Sequence, residues 1–266
     1  MSTCTFAKYA FTKYEGAGND FILIDDRSFF FPLQDSKLVQ RLCHRKFGVG
    51  ADGVILLQKD EQADFRMRIF NSDGSEAESC GNGLRCLLRF IGDLGCPLKN
   101  YSIAVGNRIV EGGFEGDRIW VKMGIPTDLK LNLRIGGKKI HFVNTGVPHA
   151  VLFVSDVEPI DVEEQGAYFR RHSVFSPQGT NVNFAAIQRD GSIRVRTFER
   201  GVEGETLACG TGAAAVGIVS FLIYGTKSPA LLQFSGGALE VRFQKEDFSD
   251  LKLVGPANQT YSGVYA

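Results

Sequence analysis

The stretch EAESCGNG at 76–83 returns at 205–212 as ETLACGTG. Both fit Glu-x-x-x-Cys-Gly-x-Gly, and both run into an apolar segment of helical character, LRCLLRFIGDLG at 84–95 and AAAVGIVSFLIYG at 213–225. Cys80 and Cys209 therefore occupy equivalent places in two similar local units. Each reads as a glycine turn exposing backbone N–H groups at the start of a helix. Such a helix start attracts anions and lowers the pKa of a neighbouring thiol.

The flanking segments repeat as well. In the first half, FTKYEGAGNDFILIDD (11–26) reads as strand, glycine turn, strand, and DSKLVQRLCHRKFGVGADGVILLQ (35–58) as helix, Gly-rich loop, strand. DFRMRIFNSDGS (64–75) is a strand with alternating apolar positions, and NYSIAVGNRIVEGGFEGDRIWVKMG (100–124) is two or three strands with glycine turns. In the second half, 134–154 gives strands, VEEQGAYFRRHSVF (162–175) a helix, 181–201 a hairpin through Arg-Asp-Gly-Ser, and 238–255 a closing hairpin. Each half is thus strands, helix, strands, Cys-turn helix, strands. The expectation is two similar α+β domains joined near 124–128, with the Cys turns meeting in the cleft between them, a usual place for a small-molecule site.

Composition excludes several classes. The 266 residues carry 30 basic and 30 acidic side chains, so no nucleic-acid or polyanion partner is expected. No apolar run is long enough to span a bilayer, and the first residues lack a signal-peptide pattern, so the cytoplasm is expected and no membrane partner. The six cysteines form no C-x-x-C pair and His numbers only four, which argues against zinc and disulfides and for free thiols.

Two opposed thiols suit one reaction. A proton on a carbon α to a carboxylate is hard to remove unless positive potential is fixed at that carboxylate. Backbone N–H groups of Cys80–Gly83 and Cys209–Gly212 can supply it from two helix starts. One cysteine as thiolate takes the proton from one face, and the other as thiol donates to the opposite face. The stereocentre inverts without metal or cofactor.

NSDGSEAESCGNGLR (71–85) and ERGVEGETLACGTGAAA (199–215) resemble the two active-site signatures of the diaminopimelate epimerase family. GAGNDFILID (16–25), FGVGADGVILL (47–57), VPHAV (147–151), NVNFA (181–185) and GPA (255–257) follow in the family's order, so the resemblance spans nearly the whole chain. It implies interconversion of LL- and meso-diaminopimelate for lysine and peptidoglycan precursor synthesis, with no cofactor. It implies an α+β fold of two pseudo-symmetric domains, each a mainly antiparallel sheet wrapped round a central helix, often as a homodimer. The domains would be 1–124 plus the returning segment 256–266, carrying Cys80, and 125–255, carrying Cys209. Cys80 and Cys209 would be the acid/base pair. Gly81, Asn82, Gly210 and Thr211 would bind the reacting carboxylate, and Asn19 would line the pocket. Asn71, Asn181 and Arg200 would hold the distal amino acid end, with Glu199 near the amino group.

The chain departs from the family's pattern in places. The usual Gly-Asn-Pro-His is Gly146-Val147-Pro148-His149, which removes one distal contact, because valine has no polar side-chain atom. Gly53 stands where some members carry Gln, and Glu203 lengthens the usual ERGxGET loop by one residue. A weaker distal grip would admit a smaller substrate such as glutamate. The other readings are a glutamate- or proline-type racemase on the same fold and a non-catalytic amino acid-binding protein.

Overall fold

A computed structural model describes residues 8–77, 81–96, 99–244 and 247–266. Contacts divide the chain into two compact units, 1–121 with 256–266, and 122–255.

Unit 1 starts with the hairpin β1 (Tyr9–Gly16) and β2 (Asn19–Asp25). Helix α1 (Ser36–Cys43) follows, started by the Asp35 carboxylate, which accepts from the Leu38 N–H. Its Leu38, Val39, Leu42 and Cys43 face the core, the i, i+3, i+4 spacing of an amphipathic helix. The chain returns as β3 (Gly53–Gln58), which pairs parallel to β2. Every residue of β3 is buried, as its apolar run GVILLQ requires of a strand covered on both faces. Antiparallel to it lies β4 (Phe65–Asn71), followed by the short β5 (Glu76–Ala77). Helix α2 (Gly81–Asp93) crosses to β6 (Asn100–Val105), parallel to β4, and β7 (Arg108–Glu115) and β8 (Arg118–Lys122) add an antiparallel meander.

Unit 2 uses the same order of pairings. The antiparallel strands β9 (Thr127–Ile135), β10 (Lys138–Asn144) and β11 (Pro148–Phe153) lead through α3 (Val162–Arg170) to β12 (Asn181–Ile187), parallel to β11. Then β13 (Ile193–Glu199) pairs antiparallel to β12, β14 (Gly204–Thr206) folds back on it, and α4 (Gly210–Tyr224) crosses to β15 (Ala230–Phe234), parallel to β13. Strands β16 (Gly237–Arg242) and β17 (Lys252–Gly255) close the unit. The sheet is thus mixed, with parallel pairs wherever a helix makes the crossover. Helix α4 is apolar all round because β10, β11, β12, β15, β16 and β17 all pack on it. Each buried Val or Ile there contributes about 1.5–3 kcal/mol. Gly225 ends it in the left-handed conformation, φ 66°. The final strand, β18 (Asn258–Tyr265), returns to unit 1 and pairs antiparallel to β1.

Two details differ from the sequence reading. The helix expected over 162–175 stops at Arg170, and a single 3-10 turn at Ser173–Phe175 follows, where the His172 side chain accepts from the Val174 N–H. Strands β15 and β18 were not separately anticipated from the residues. No helix among the described residues is long and apolar enough to cross a membrane.

Candidate functional site around Cys209

Cys209 caps helix α4. Its backbone is extended (φ −123°, ψ 113°), and its sulfur accepts from the Gly212 N–H at 3.4 Å. The N-cap position thus uses sulfur where Ser or Asp is usual. Gly212 is required here, since a Cβ on it would lie 2.4 Å from Asn183 Oδ1 and 3.3 Å from Cys209 Sγ. The Thr211 hydroxyl lies 3.5 Å from the same sulfur, while the Thr211 carbonyl accepts from the Thr145 hydroxyl at 2.8 Å.

Strand β13 ends at Glu199, whose carboxylate charge acts on Cys209. The Thr206 hydroxyl, on the neighbouring β14, donates to Glu199 Oε1 at 2.7 Å. Contrary to the lowering expected at a helix start, burial raises the Cys209 pKa well above its usual value, and the Glu199 charge adds to this. Burial likewise raises Glu199, with Thr206 and Cys209 opposing it. Burial thus favours the neutral, protonated form of both groups. The Thr211 and Gly212 donors to the sulfur oppose the rise at Cys209.

The remaining expected residues of unit 2 lie close by in the chain's hydrogen bonding. The Arg200 N–H donates to Asn181 Oδ1 at 2.7 Å, and Asn181 Nδ2 donates to the Pro148 carbonyl at 3.2 Å. The Arg200 guanidinium donates to the Gln178 carbonyl at 3.2 Å. Gln178 belongs to a groove also lined by Lys130, Phe142, Asn144 and Pro148, which holds none of the expected residues. Gly210 is the first residue of α4. The added residue Glu203 adopts φ 57° and pairs with Arg170 at 2.9 Å and Arg171 at 3.3 Å, tying its loop to the end of α3. Val147 is half-buried, and its carbonyl accepts from the Thr145 N–H at 3.2 Å.

In unit 1, Cys80 lies outside the described residues. Gly81 and Asn82 open α2. Asn82 Nδ2 lies 3.5 Å from Asn19 Oδ1, and Asn82 Oδ1 accepts from Arg85 at 3.1 Å. Asn19 Nδ2 donates to Asp52 at 2.6 Å, and Arg45 bridges Asp52 and Asp20. Burial alone would raise Asp20, yet hydrogen bonds and charge from Arg45 and Lys13 bring it down to about 2. Asn19 and Asn82 are thus brought together. Asn71 sits at the end of β4, with its side chain on Ser75 at 3.0 Å in a local turn.

The sequence model of diaminopimelate epimerase matches residues 11–127 and 141–259. The chain belongs to the diaminopimelate epimerase family. A family member from Methanocella arvoryzae is 42% identical over 277 residues, covering 96% of each chain. Another, from Hydrogenobaculum sp., is 40% identical over 271 residues, covering 95% of this chain and 97% of that one. Among solved structures, a phenazine biosynthesis protein of the PhzF family from Bacillus anthracis has a TM-score of 0.78 at 15% identity, covering 98% of this chain and all of that one. A hydroxyproline epimerase from Agrobacterium vitis has a TM-score of 0.71 at 17% identity, covering 98% and 93%. These likenesses show the fold alone.

Around this family's second cysteine turn, sequence reasoning missed His149, Asn183, Thr197 and Thr206. His149 and Asn183 are fully buried polar side chains on the largely apolar and largely buried strands β11 and β12. That contrast was the available signal, because a buried polar group needs partners.

Proposed function

We propose that this chain is a diaminopimelate epimerase that inverts one Cα by a two-thiol mechanism. Cys80 and Cys209 exchange the roles of base and acid on opposite faces of the carbon. Gly81, Asn82, Gly210 and Thr211 hold the reacting carboxylate, largely through backbone N–H. Asn19 lines the pocket, Asn71, Asn181 and Arg200 take the distal end, and Glu199 contributes near the amino group. The reading requires the two halves to bring both sulfurs to one Cα. It takes the halves as pseudo-symmetric, each a sheet round a central helix, and the protein as a cytoplasmic homodimer acting on a small amino acid.

The observation that carries the reading is the Cys209 turn: a buried thiol capping a helix, with the charge of the half-buried Glu199 acting on it, within a chain of this family. Glu199 takes the thiol proton, and the thiolate so formed abstracts the Cα proton. The reverse direction returns a proton from Cys209 to carbon. Deuterium incorporation at Cα of diaminopimelate in D2O tests it. Inversion with deuterium in the inverted product should be lost in Cys80→Ala and in Cys209→Ala, and inversion surviving in either variant would end the two-thiol reading.

Val147 motivates a secondary activity. With valine where the family usually has asparagine, the distal end loses a hydrogen-bonding partner, typically worth about 1–3 kcal/mol. Slow Cα exchange of L-glutamate is expected, and Val147→Asn should shift preference toward diaminopimelate. Absence of deuterium in glutamate after long incubation would rule this out.

A further inference from the structure

A one-way chain of hydrogen bonds ends on the Cys209 sulfur. Its direction can be worked out from the far end. The Ala150 carbonyl can only accept, so the Asn183 atom 2.9 Å from it is the amide nitrogen Nδ2. The Thr197 hydroxyl donates to the other amide atom, Oδ1, at 3.0 Å, which agrees. Strand register makes both contacts: Asn183 stands opposite Thr197 across the antiparallel β12–β13 pair and beside Val151 in the parallel β11–β12 pair.

The second N–H of Asn183 points at His149 Nδ1, 3.1 Å away. An amide nitrogen only donates, so Nδ1 presents its lone pair. His149 is buried, and burial, followed by the Arg200 charge, holds its pKa at about 3. The ring is therefore neutral at ordinary pH, and with Nδ1 bare its proton sits on Nε2. Nε2 lies 2.9 Å from Thr211 Oγ1 and donates to it. The Thr211 hydroxyl keeps its own proton to donate, and Cys209 Sγ lies 3.5 Å away.

We infer that Asn183 is a positioning residue for Cys209, fixing His149 in its Nε2–H form so that the Thr211 hydroxyl proton is directed onto the sulfur. This rests on the acid/base role of Cys209 proposed above. Asn183 is fully buried and passes no proton. It sets the direction of a chain that keeps two donors, Thr211 and Gly212, on the sulfur when Glu199 takes its proton. The titratable and charged groups in this arrangement are Glu199 from β13, His149 from β11 and, beyond it, Arg200. With the ring reversed, the Thr211 hydroxyl would donate to the bare Nε2, and the sulfur would keep only the Gly212 N–H.

The test has two arms on the full chain. Two-bond 1H–15N NMR of the four histidines, with His149 assigned by its loss in His149→Gln, reads the tautomer directly. A proton on Nε2 and none on Nδ1 at neutral pH is expected, and the opposite pattern overturns the assignment. In the second arm, Asn183→Leu removes the donor at similar volume. Protonated Nδ1 should then appear, kcat for diaminopimelate should fall on the order of tenfold, as expected from one lost hydrogen bond, and KM should stay within about twofold. The limb of the pH profile that reports Cys209 should move to higher pH. An unchanged kcat with an unchanged profile overturns the inference. If Asn183→Leu does not fold, the wild-type tautomer decides. Wild-type protein that exchanges no Cα proton would defeat the proposed function and leave the tautomer reading standing.

Discussion

Helices α2 and α4 begin with the same cysteine–glycine frame and then diverge. At the fifth position after the cysteine, α2 carries Arg85 and α4 carries Ala214, and both are fully buried. The Arg85 guanidinium donates to the carbonyls of Pro256 and Gly81 and to Asn82 Oδ1. Ala214 has no such reach, and strands pack on α4 from all sides instead. The sequence frame is common to both helices, but each helix behind it answers to what its unit must hold. In unit 1 that is a returning chain segment, and in unit 2 a dense apolar core.

The sharpest way to break the pairing of the two turns is through their sulfurs. Cys209→Ala should lower epimerisation by about 10²–10⁴-fold, the range for losing a positioned acid/base group. Cys80→Ala should match it in a coupled assay. A loss in one variant alone would mean that the repeat is one of shape and not of chemistry.

The next effect is on stability. Arg85→Met strands the groups its guanidinium serves and should cost about 3 kcal/mol in denaturant unfolding, since hydrogen bonds to a charged donor are the stronger kind. Ala214→Leu should cost about 1–3 kcal/mol by overpacking. Equal tolerance at both positions would show that the helices are not specialised.

The glycines two residues further along the turns from the first give a smaller contrast. A Cβ at Gly212 meets the Asn183 amide at 2.4 Å, whereas one at Gly83 meets the methyl end of Ile55 at 2.9 Å. Asn183 is held by its own hydrogen bonds, while the Ile55 methyl can move. Gly212→Ala should therefore cost about 2 kcal/mol and reduce kcat. Gly83→Ala should be within about 1 kcal/mol of wild type, because the better helix propensity of alanine offsets the crowding. Thermal unfolding and kcat of the two variants check this.

Acid separates the units last. His149 in unit 2 has its folded pKa lowered to about 3 from 6.5. Between those values the unfolded chain binds a proton that the folded one refuses. Stability is thus whole above pH 6.5 and falls as pH drops toward 3, by at most about 1.4 kcal/mol per pH unit. In unit 1, Asp20 is lowered to about 2 from 3.8, so its contribution is lost only below 3.8. Hydrogen exchange between pH 4 and 6 should show unit 2 loosening first, and His149→Gln should flatten that slope.

The turns, the helix starts and the order of elements were legible in the sequence because their causes are local: glycine at a bend, a cap before an apolar period. The proposed carbon-acid chemistry was read from the two repeated cysteine–glycine stretches. What was not legible depends on partners far along the chain. Arg85 reads like a surface charge on an amphipathic helix, and only the segment at Pro256 makes it a buried one. Asn183 and His149 look like isolated polar residues in apolar strands until the β11–β12 register sets them against each other. Strand β18 carries little apolar pattern because most of it is exposed.

That last strand has a consequence for how the protein is made. Ser262 bonds to Thr12, 250 positions earlier, and the β1–β18 ladder runs from Tyr9 to Glu15. Unit 2 is contiguous and can close as soon as it has left the ribosome. Unit 1, although synthesised before unit 2, must wait with β1 unpaired along one edge until β18 emerges. Birth order and completion order are therefore reversed, and during translation the exposed edge most open to wrong partners belongs to the older half.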